Sequence, residues 1–296
     1  MTDIINLHDD FPVELFADRF YGIGRGDERL EFISETFGKV VGAIYLPTRF
    51  SNIENFQKRA LEYVRLFLSS KDSRLIFGNT EVFLSLEGLD SFQSADEVEK
   101  LFGKIKFFSL TWARENAFAY GVGESGESGK GGLKEEGRKL TEAVKARGGY
   151  IDVSHLNDSG TKELIDLKCN IFASHSNSRE EFYSKRNLTP CVIRKIADLG
   201  GVIGLNGYKG FIGKRASIEK FSSHIESILD IGGEDVVALG LDICGNLLGD
   251  NSDCDLFKGQ GDLEKLRIHL EKEGFSESLI DKLFFENANK FLERLP

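Results

Sequence analysis

The sequence predicts an α/β protein built as a (β/α)8 barrel, and three observations carry that prediction. Eight short apolar runs recur along the 296 residues, and amphipathic stretches with apolar residues three and four apart lie between most of them. Polar side chains of the ligand-forming kinds stand at the ends of those runs, where a parallel barrel would gather them at one mouth. A doubly wound open sheet also alternates strand and helix but usually carries fewer strands. The chain is read as one domain, residues 1–296, with C-terminal helices.

The strand candidates, in order, are "DIINLH" (3–8), "VGAIYL" (41–46), "EVFLSLEG" (81–88), "IKFFSLTW" (105–112), "GYIDVSH" (149–155), "NIFASHS" (170–176), "GVIGLN" (201–206) and "VVALGLD" (236–242). Among the helical stretches "IENFQKRALEYVRLFLSS" (53–70) has the clearest period. It is followed by 132–147, 189–200 and 217–232, with Gly or Gly-Gly as plausible C-caps. Two further helical segments, "LEKLRIHLEKEG" and "SESLIDKLFFENANKFLERL", could close or cover the barrel. The Gly-rich stretch "GVGESGESGKGG" (121–132) departs from a phosphate-binding loop. Glu124 stands where that motif needs Gly, and Gly131 follows Lys130 where it needs Ser or Thr, so it reads as a flexible surface loop.

Composition narrows the function classes. Hydrophobic residues make up 41% and aromatics 11%, enough for a large core and against a disordered chain. The formal net charge of −10, with no long basic stripe, argues against a nucleic-acid surface. The start, "MTDIINLHDDFP", lacks the basic head and apolar core of a signal peptide, and no apolar run approaches the roughly 20 residues that span a bilayer. Cys169, Cys191, Cys244 and Cys254 form no CxxC pair. A reduced, soluble, cytoplasmic protein without a membrane or nucleic-acid partner is expected.

The polar residues at the strand ends are His8 and Asp10, Glu87, Trp112, His155, His175, Asn206 and Asp242. Strand side chains alternate, so His8 and Asp10 should share a side while Asp9 faces away. An imidazole beside a carboxylate makes half of a hydrogen-bonded pair or two ligands for one metal; a turn after the first strand is the plainer reading. His155 and His175 are each as readily satisfied core histidines as ligands, and Glu87 could be the acid at a helix N-terminus. Together they supply the nitrogen and oxygen donors that zinc prefers. His224 and His269 lie within amphipathic helical stretches and read as surface residues.

In order and spacing, "HDDFP", "SLEG", "LTWARENAFAYG", "GGLKEEGRKLTEAVKARGGYIDVSHLND", "IFASHSNSR", "RNLTP", "GGVIGLN" and "LGLDICGN" resemble the membrane (renal-type) dipeptidases, peptidase family M19. The likeness runs from about residue 4 to residue 292 and is strongest to the shorter bacterial members. It implies a metal-dependent, amidohydrolase-like TIM barrel with two Zn2+ at its mouth, a homodimer, and hydrolysis of small dipeptides by a metal-bridged hydroxide. On that resemblance His8 and Asp10 hold one zinc, Glu87 bridges both, and His155 and His175 hold the second. Asp242 matches the aspartate that shuttles the water's proton, and Arg186 in "KRNLTP" the arginine that pairs with the substrate carboxylate. Asn206 and Tyr208 lie where the family lines its substrate pocket.

Two departures stand out. Trp112 replaces a histidine of renal-type members that is held to polarise the substrate carbonyl. An indole can donate one hydrogen bond but cannot become charged, so transition-state stabilisation there is either weaker or comes from another group such as Asn116. Cys244 replaces a second aspartate of many relatives and reads more simply as a small buried filler than as a thiol near the metal. The leading expectation is a zinc dipeptidase, including action on dipeptides with a C-terminal D-residue. The same fold and metals acting on another small amide, such as an N-acyl amino acid or a β-lactam, and a catalytically silent metal-binding scaffold are the alternatives.

Overall fold

Parallel strands buried on both faces read as continuous apolar runs, and the structure places a strand overlapping each predicted run. It is a computed structural model that describes residues 4–23, 26–68, 75–123, 131–243 and 254–296. Among these residues the strands are β1 (Ile5–Asp9), β2 (Lys39–Ile44), β3 (Leu75–Phe77), β4 (Thr80–Glu87), β5 (Phe107–Ser109), β6 (Tyr150–Asp152), β7 (Asn170–Phe172), β8 (Ile203–Leu205) and β9 (Val237–Leu239). Neighbours run β7-β6-β5-β4-β2-β1-β9-β8, all parallel. A bridge between Ala173 and Ile203, with Ala173 N–H donating to Val202 O at 3.0 Å, brings β7 to β8. The result is a nearly closed eight-stranded barrel with helices around it. β3 pairs antiparallel with β4 outside the ring, a hairpin that the sequence pattern does not show.

Some of the helices start where a side chain satisfies a free N–H group. Asn157 Oδ1 accepts from Gly160 N, Thr189 accepts from Val192 N with Pro190 following, and Ser217 accepts from Lys220 N. Helices Phe11–Tyr21 and Gly26–Thr36 are additions to the predicted set. The first of them buries Phe11 through Ala17 without a break, so it has no one-sided apolar stripe to betray it.

The core divides in two. A larger cluster packs helices on the outer face of the barrel, and a smaller one gathers Ile5, Leu7, Val41, Phe107, Phe172, Val202 and Ala238 with Ala288, Phe291, Leu292 and Leu295. The C-terminal segment therefore seals the end of the barrel opposite the strand C-termini. Asn287 fastens it there, donating to Val237 O at 2.9 Å and Glu234 O at 2.8 Å.

His224 corrects the surface reading. It is fully buried on helix Ile218–Gly232, where Nε2 donates to Ile212 O at 3.1 Å, so a backbone carbonyl makes an inward imidazole affordable. His269 is half-buried on helix Gln260–Lys272. Residues 124–130 of the Gly-rich loop, and Cys244, lie outside the described residues. No helix among the described residues is long and apolar enough to cross a membrane.

Candidate active site

The sequence expects His8 and Asp10 to share a side by strand alternation, yet Leu7 also belongs to the inner cluster. Both face inward because the pairing of β1 with β2 shifts register between Asn6 and Asp9, and such an irregularity re-aims the residues that follow it. His8 Nε2 lies 3.6 Å from Asp10 Oδ1, 3.6 Å from Glu87 Oε2 and 3.7 Å from Asp242 Oδ1. Glu87 ends β4, and its other oxygen, Oε1, lies 2.7 Å from His155 Nε2 and 3.3 Å from His175 Nε2. One carboxylate thus stands among three imidazoles brought from β1 and from the turns after β6 and β7.

Backbone geometry holds these groups in place. Gly88 follows Glu87 at φ +75°, and a Cβ there would lie 2.5 Å from Trp112 N, so only glycine allows the two strand ends to approach. Asp242 itself has φ +54°. Its N–H donates to His8 O at 3.1 Å, which ties the end of β9 to the end of β1.

Asp9 faces away, as expected, into a buried network the sequence does not announce. Arg29 Nη2 donates to Asp9 Oδ1 at 2.5 Å and to Ile243 O at 3.4 Å. Asn6 Nδ2 donates to Asp9 Oδ2 at 3.3 Å, while Asn6 Oδ1 accepts from Leu241 N at 2.8 Å. These bonds grip the chain on both sides of Asp242 and join it to the His8–Asp10 segment.

Three carboxylates and three imidazoles, all buried except the partly exposed Asp242, leave the site short of positive charge. Burial pushes the Asp10 carboxyl well up, and Asp242 up to about 7, in both cases against the pull of the nearby His8 imidazole. Burial would raise Glu87 too, but the charges of His8 and His155 hold it well below its ordinary value. Burial would depress His8, and Glu87, Asp10 and Asp242 instead raise it well above. His155 and His175 fall, by burial and by the neighbouring cations Arg186 and His8; His155 reaches about 4.

A cavity of about 420 Å3 opens above this cluster. Asp10, Glu87, His155 and Asp242 reach its floor, Tyr45, Trp112 and Phe211 wall it, and Arg186 and Tyr208 line it. Trp112 packs against Tyr45 at 5.1 Å between ring centroids and against His155 at 6.3 Å. Arg186 is 6% exposed, with Nη2 near His155 Nε2 (3.2 Å) and His175 O (3.3 Å); among the described residues no carboxylate pairs with it. Burial lowers its pKa, and the more distant charges of Asp242, Glu87 and Asp152 offset only part of that.

Asn206 is fully buried and is not part of the cavity lining. Its Nδ2 donates to Asp242 Oδ2 at 2.8 Å and its Oδ1 accepts from Tyr208 N at 2.6 Å, so it sets two pocket residues from behind. Asn116 is likewise committed to structure. It donates to Leu110 O and accepts from Phe118 N and Ala119 N, which removes it as a second group to stand beside Trp112.

The sequence profile of the membrane dipeptidases, peptidase family M19, matches residues 48–295. The chain belongs to this family. As an M19 protein it is a metallo-dipeptidase, a hydrolase of peptide bonds. It is 34% identical over 194 residues to an uncharacterized protein of Klebsiella pneumoniae from the pqqA 5′ region, over 62% of this chain and 70% of that one. Its fold is similar to that of dipeptidase AC, an M19 metallopeptidase, with a TM-score of 0.83 and 23% identity over 100% of this chain and 99% of the other. It is also similar to a metallopeptidase from Rhodobacter sphaeroides solved with a phosphinate mimic of L-Ala-D-Ala (TM-score 0.75, 22% identity, 99% of both chains).

The M19 profile begins after His8 and Asp10, so their membership in the site rests on geometry. The donor atoms of His8, Glu87 and His175 lie within 4.8 Å of one another, as do those of His8, Asp10 and Asp242. His8 Nε2, His175 Nε2 and Asp10 Oδ1 are buried without a hydrogen-bond partner. Buried polar atoms normally find partners, and nitrogen and oxygen donors left open toward one another are what a divalent cation takes up. The residues fit a metal.

Proposed function

We propose that the chain is a zinc-dependent dipeptidase that cleaves the amide of small dipeptides, including those with a C-terminal D-residue. The observation that carries this reading is Glu87, whose two oxygens face His8 on one side and His155 and His175 on the other. In this reading His8 and Asp10 would hold one zinc, His155 and His175 would hold a second, and Glu87 would serve as a ligand to both. Two such ions supply Lewis acidity and make water a nucleophile near neutral pH.

The chain's own groups do the rest. Asp242, at the cavity floor beside His8, takes a proton on its carboxylate from the attacking water and returns it to the leaving amine. Asn206 holds Asp242 Oδ2, leaving Oδ1 directed at the His8 side. Arg186, buried and without a carboxylate partner, receives the C-terminal carboxylate through its parallel N–H donors. Tyr45, Trp112 and Phe211 give the cavity an apolar wall that limits water around the scissile bond. A volume of about 420 Å3 suits a dipeptide rather than a longer chain. The reading extends to one catalytic domain acting as a cytoplasmic homodimer.

The test compares a free dipeptide, its C-terminal amide and an N-acyl amino acid on the zinc-loaded protein. The free dipeptide should be cleaved fastest and the amide at least about tenfold more slowly, since one charge-assisted contact is worth about 1.5–3 kcal/mol. Preferred cleavage of the N-acyl amino acid would move the substrate class; equal rates on dipeptide and amide would remove Arg186 from carboxylate recognition.

A further inference from the structure

Ser174 stands between a buried carboxylate and two of the site's imidazoles. Its Oγ is 2.5 Å from Asp152 Oδ2, 2.7 Å from His175 Nδ1 and 3.3 Å from His8 Nδ1. A hydroxyl has one proton to give and lone pairs to receive with, while a carboxylate only accepts. The serine proton therefore goes to Asp152, and both ring nitrogens must be donors.

The rest of the network closes the accounting. Asp152 is 2% exposed, and its Oδ1 accepts from Ser154 N (3.0 Å), Ser154 Oγ (2.6 Å) and Ser174 N (3.0 Å). With its own proton spent on Asp152, Ser154 Oγ accepts from His175 N at 3.1 Å. Turning the Ser174 proton toward His175 would set two acceptors against each other at 2.5 Å, with Asp152, Ser174 and His175 all buried from water. At the far ends of the same rings, both Nε2 atoms are buried without hydrogen-bond partners and face Glu87. His155 provides a contrast within the site, because its Nδ1 is the atom without a partner.

We propose that Asp152, acting through the Ser174 hydroxyl, is a positioning residue that keeps a proton on Nδ1 of both His8 and His175. Both Nε2 lone pairs are thereby kept for metal, which rests on the functional reading above. In that reading His8 and His175 belong to different ions, so a single serine couples the two metal positions and its loss weakens both together. Outer-shell partners of this kind fix ring orientation and tautomer.

Asp152→Asn tests the arrangement with little change of shape. With its carbonyl oxygen facing the three donors now on Oδ1, its amide faces Ser174 and donates to it. The serine proton is then free to turn to His175 Nδ1, which moves the ring proton to Nε2. Zinc affinity, read by competition with a chromophoric chelator, should fall about 10–100-fold. Nitrogen-15 histidine spectra of the metal-free protein should show the His175 proton on Nδ1 in the parent and on Nε2 in the variant, with His155 unchanged. Ser174→Ala, which removes the lone pairs, should lower zinc affinity similarly and serves if Asp152→Asn fails to fold.

Parent-like zinc affinity in both variants, or a parent His175 protonated on Nε2, overturns the proposal. A parent that binds zinc and cleaves no dipeptide sinks the functional reading alone. If the parent binds no zinc, the histidine spectra decide: an Nδ1 proton that moves in Asp152→Asn upholds the relay, and one that stays overturns it.

Discussion

Asn206 Nδ2 donates to Asp242 Oδ2 at 2.8 Å, joining the ends of β8 and β9 through a buried side chain and one that lines the cavity. The bond leaves Asp242 one oxygen, Oδ1, directed toward His8 at 3.7 Å. Asp242→Asn can keep this contact, since an amide oxygen accepts as a carboxylate oxygen does. Asparagine also tolerates the left-handed backbone at φ +54°. The variant should therefore fold and retain zinc by metal analysis, while turnover falls at least about a hundredfold through loss of the proton carrier. Parent turnover in this variant would remove Asp242 from proton transfer.

Gly88→Ala should damage the site from the backbone. The added methyl meets Trp112 N at 2.5 Å and Asp90 Oδ2 at 2.7 Å, at a positive φ that alanine resists. The expected cost is about 1–3 kcal/mol of stability in denaturant unfolding, with reduced zinc retention because Glu87 is the preceding residue. Unchanged stability and zinc content would show that the β4 end relaxes freely.

Arg29→Met removes one partner of a buried ion pair. Asp9 is fully buried, and Arg29 lies 2.5 Å from Asp9 and 3.3 Å from Glu14. Stranding these carboxylates should cost about 3–5 kcal/mol, read from urea unfolding. A loss below about 1 kcal/mol would mean that other groups neutralise them.

Cys169 and Cys191 should react oppositely with alkylating reagents. Burial pushes the Cys169 thiol up to about 12, and its side chain is fully covered, whereas Cys191 is exposed. At pH 8 Cys191 should label within minutes and Cys169 only after unfolding, since the thiolate is the nucleophile. The raised pKa also has a sign for stability. The unfolded thiol ionises first as pH rises, so this contribution is full below the ordinary thiol range and is lost by about 12. Rapid native labelling of Cys169 would contradict its burial.

The barrel was legible because parallel strands leave apolar runs and their ends leave polar residues, and His8, Glu87, His155, His175 and Asp242 were found that way. What stayed hidden depends on contacts that local pattern does not encode. Arg29 lies on a helix without a clear stripe, twenty residues from the Asp9 it holds. Asp152 sits inside an apolar run and Ser174 beside a histidine, so both read as strand filler until the fold brings them to one hydroxyl. The slip in β1 that lets Leu7 and His8 both face inward has no residue signature, and His224 looked exposed because its partner is a carbonyl from another segment.

The central claim is best tested by following L-Ala-D-Ala and L-Ala-L-Ala cleavage by the purified protein as isolated, after stripping with a chelator, and after adding zinc back. The account predicts hydrolysis that disappears on stripping and returns with zinc, saturating near two ions per chain. Undiminished cleavage by fully stripped protein, or no cleavage of either dipeptide with two zinc ions bound, would contradict it.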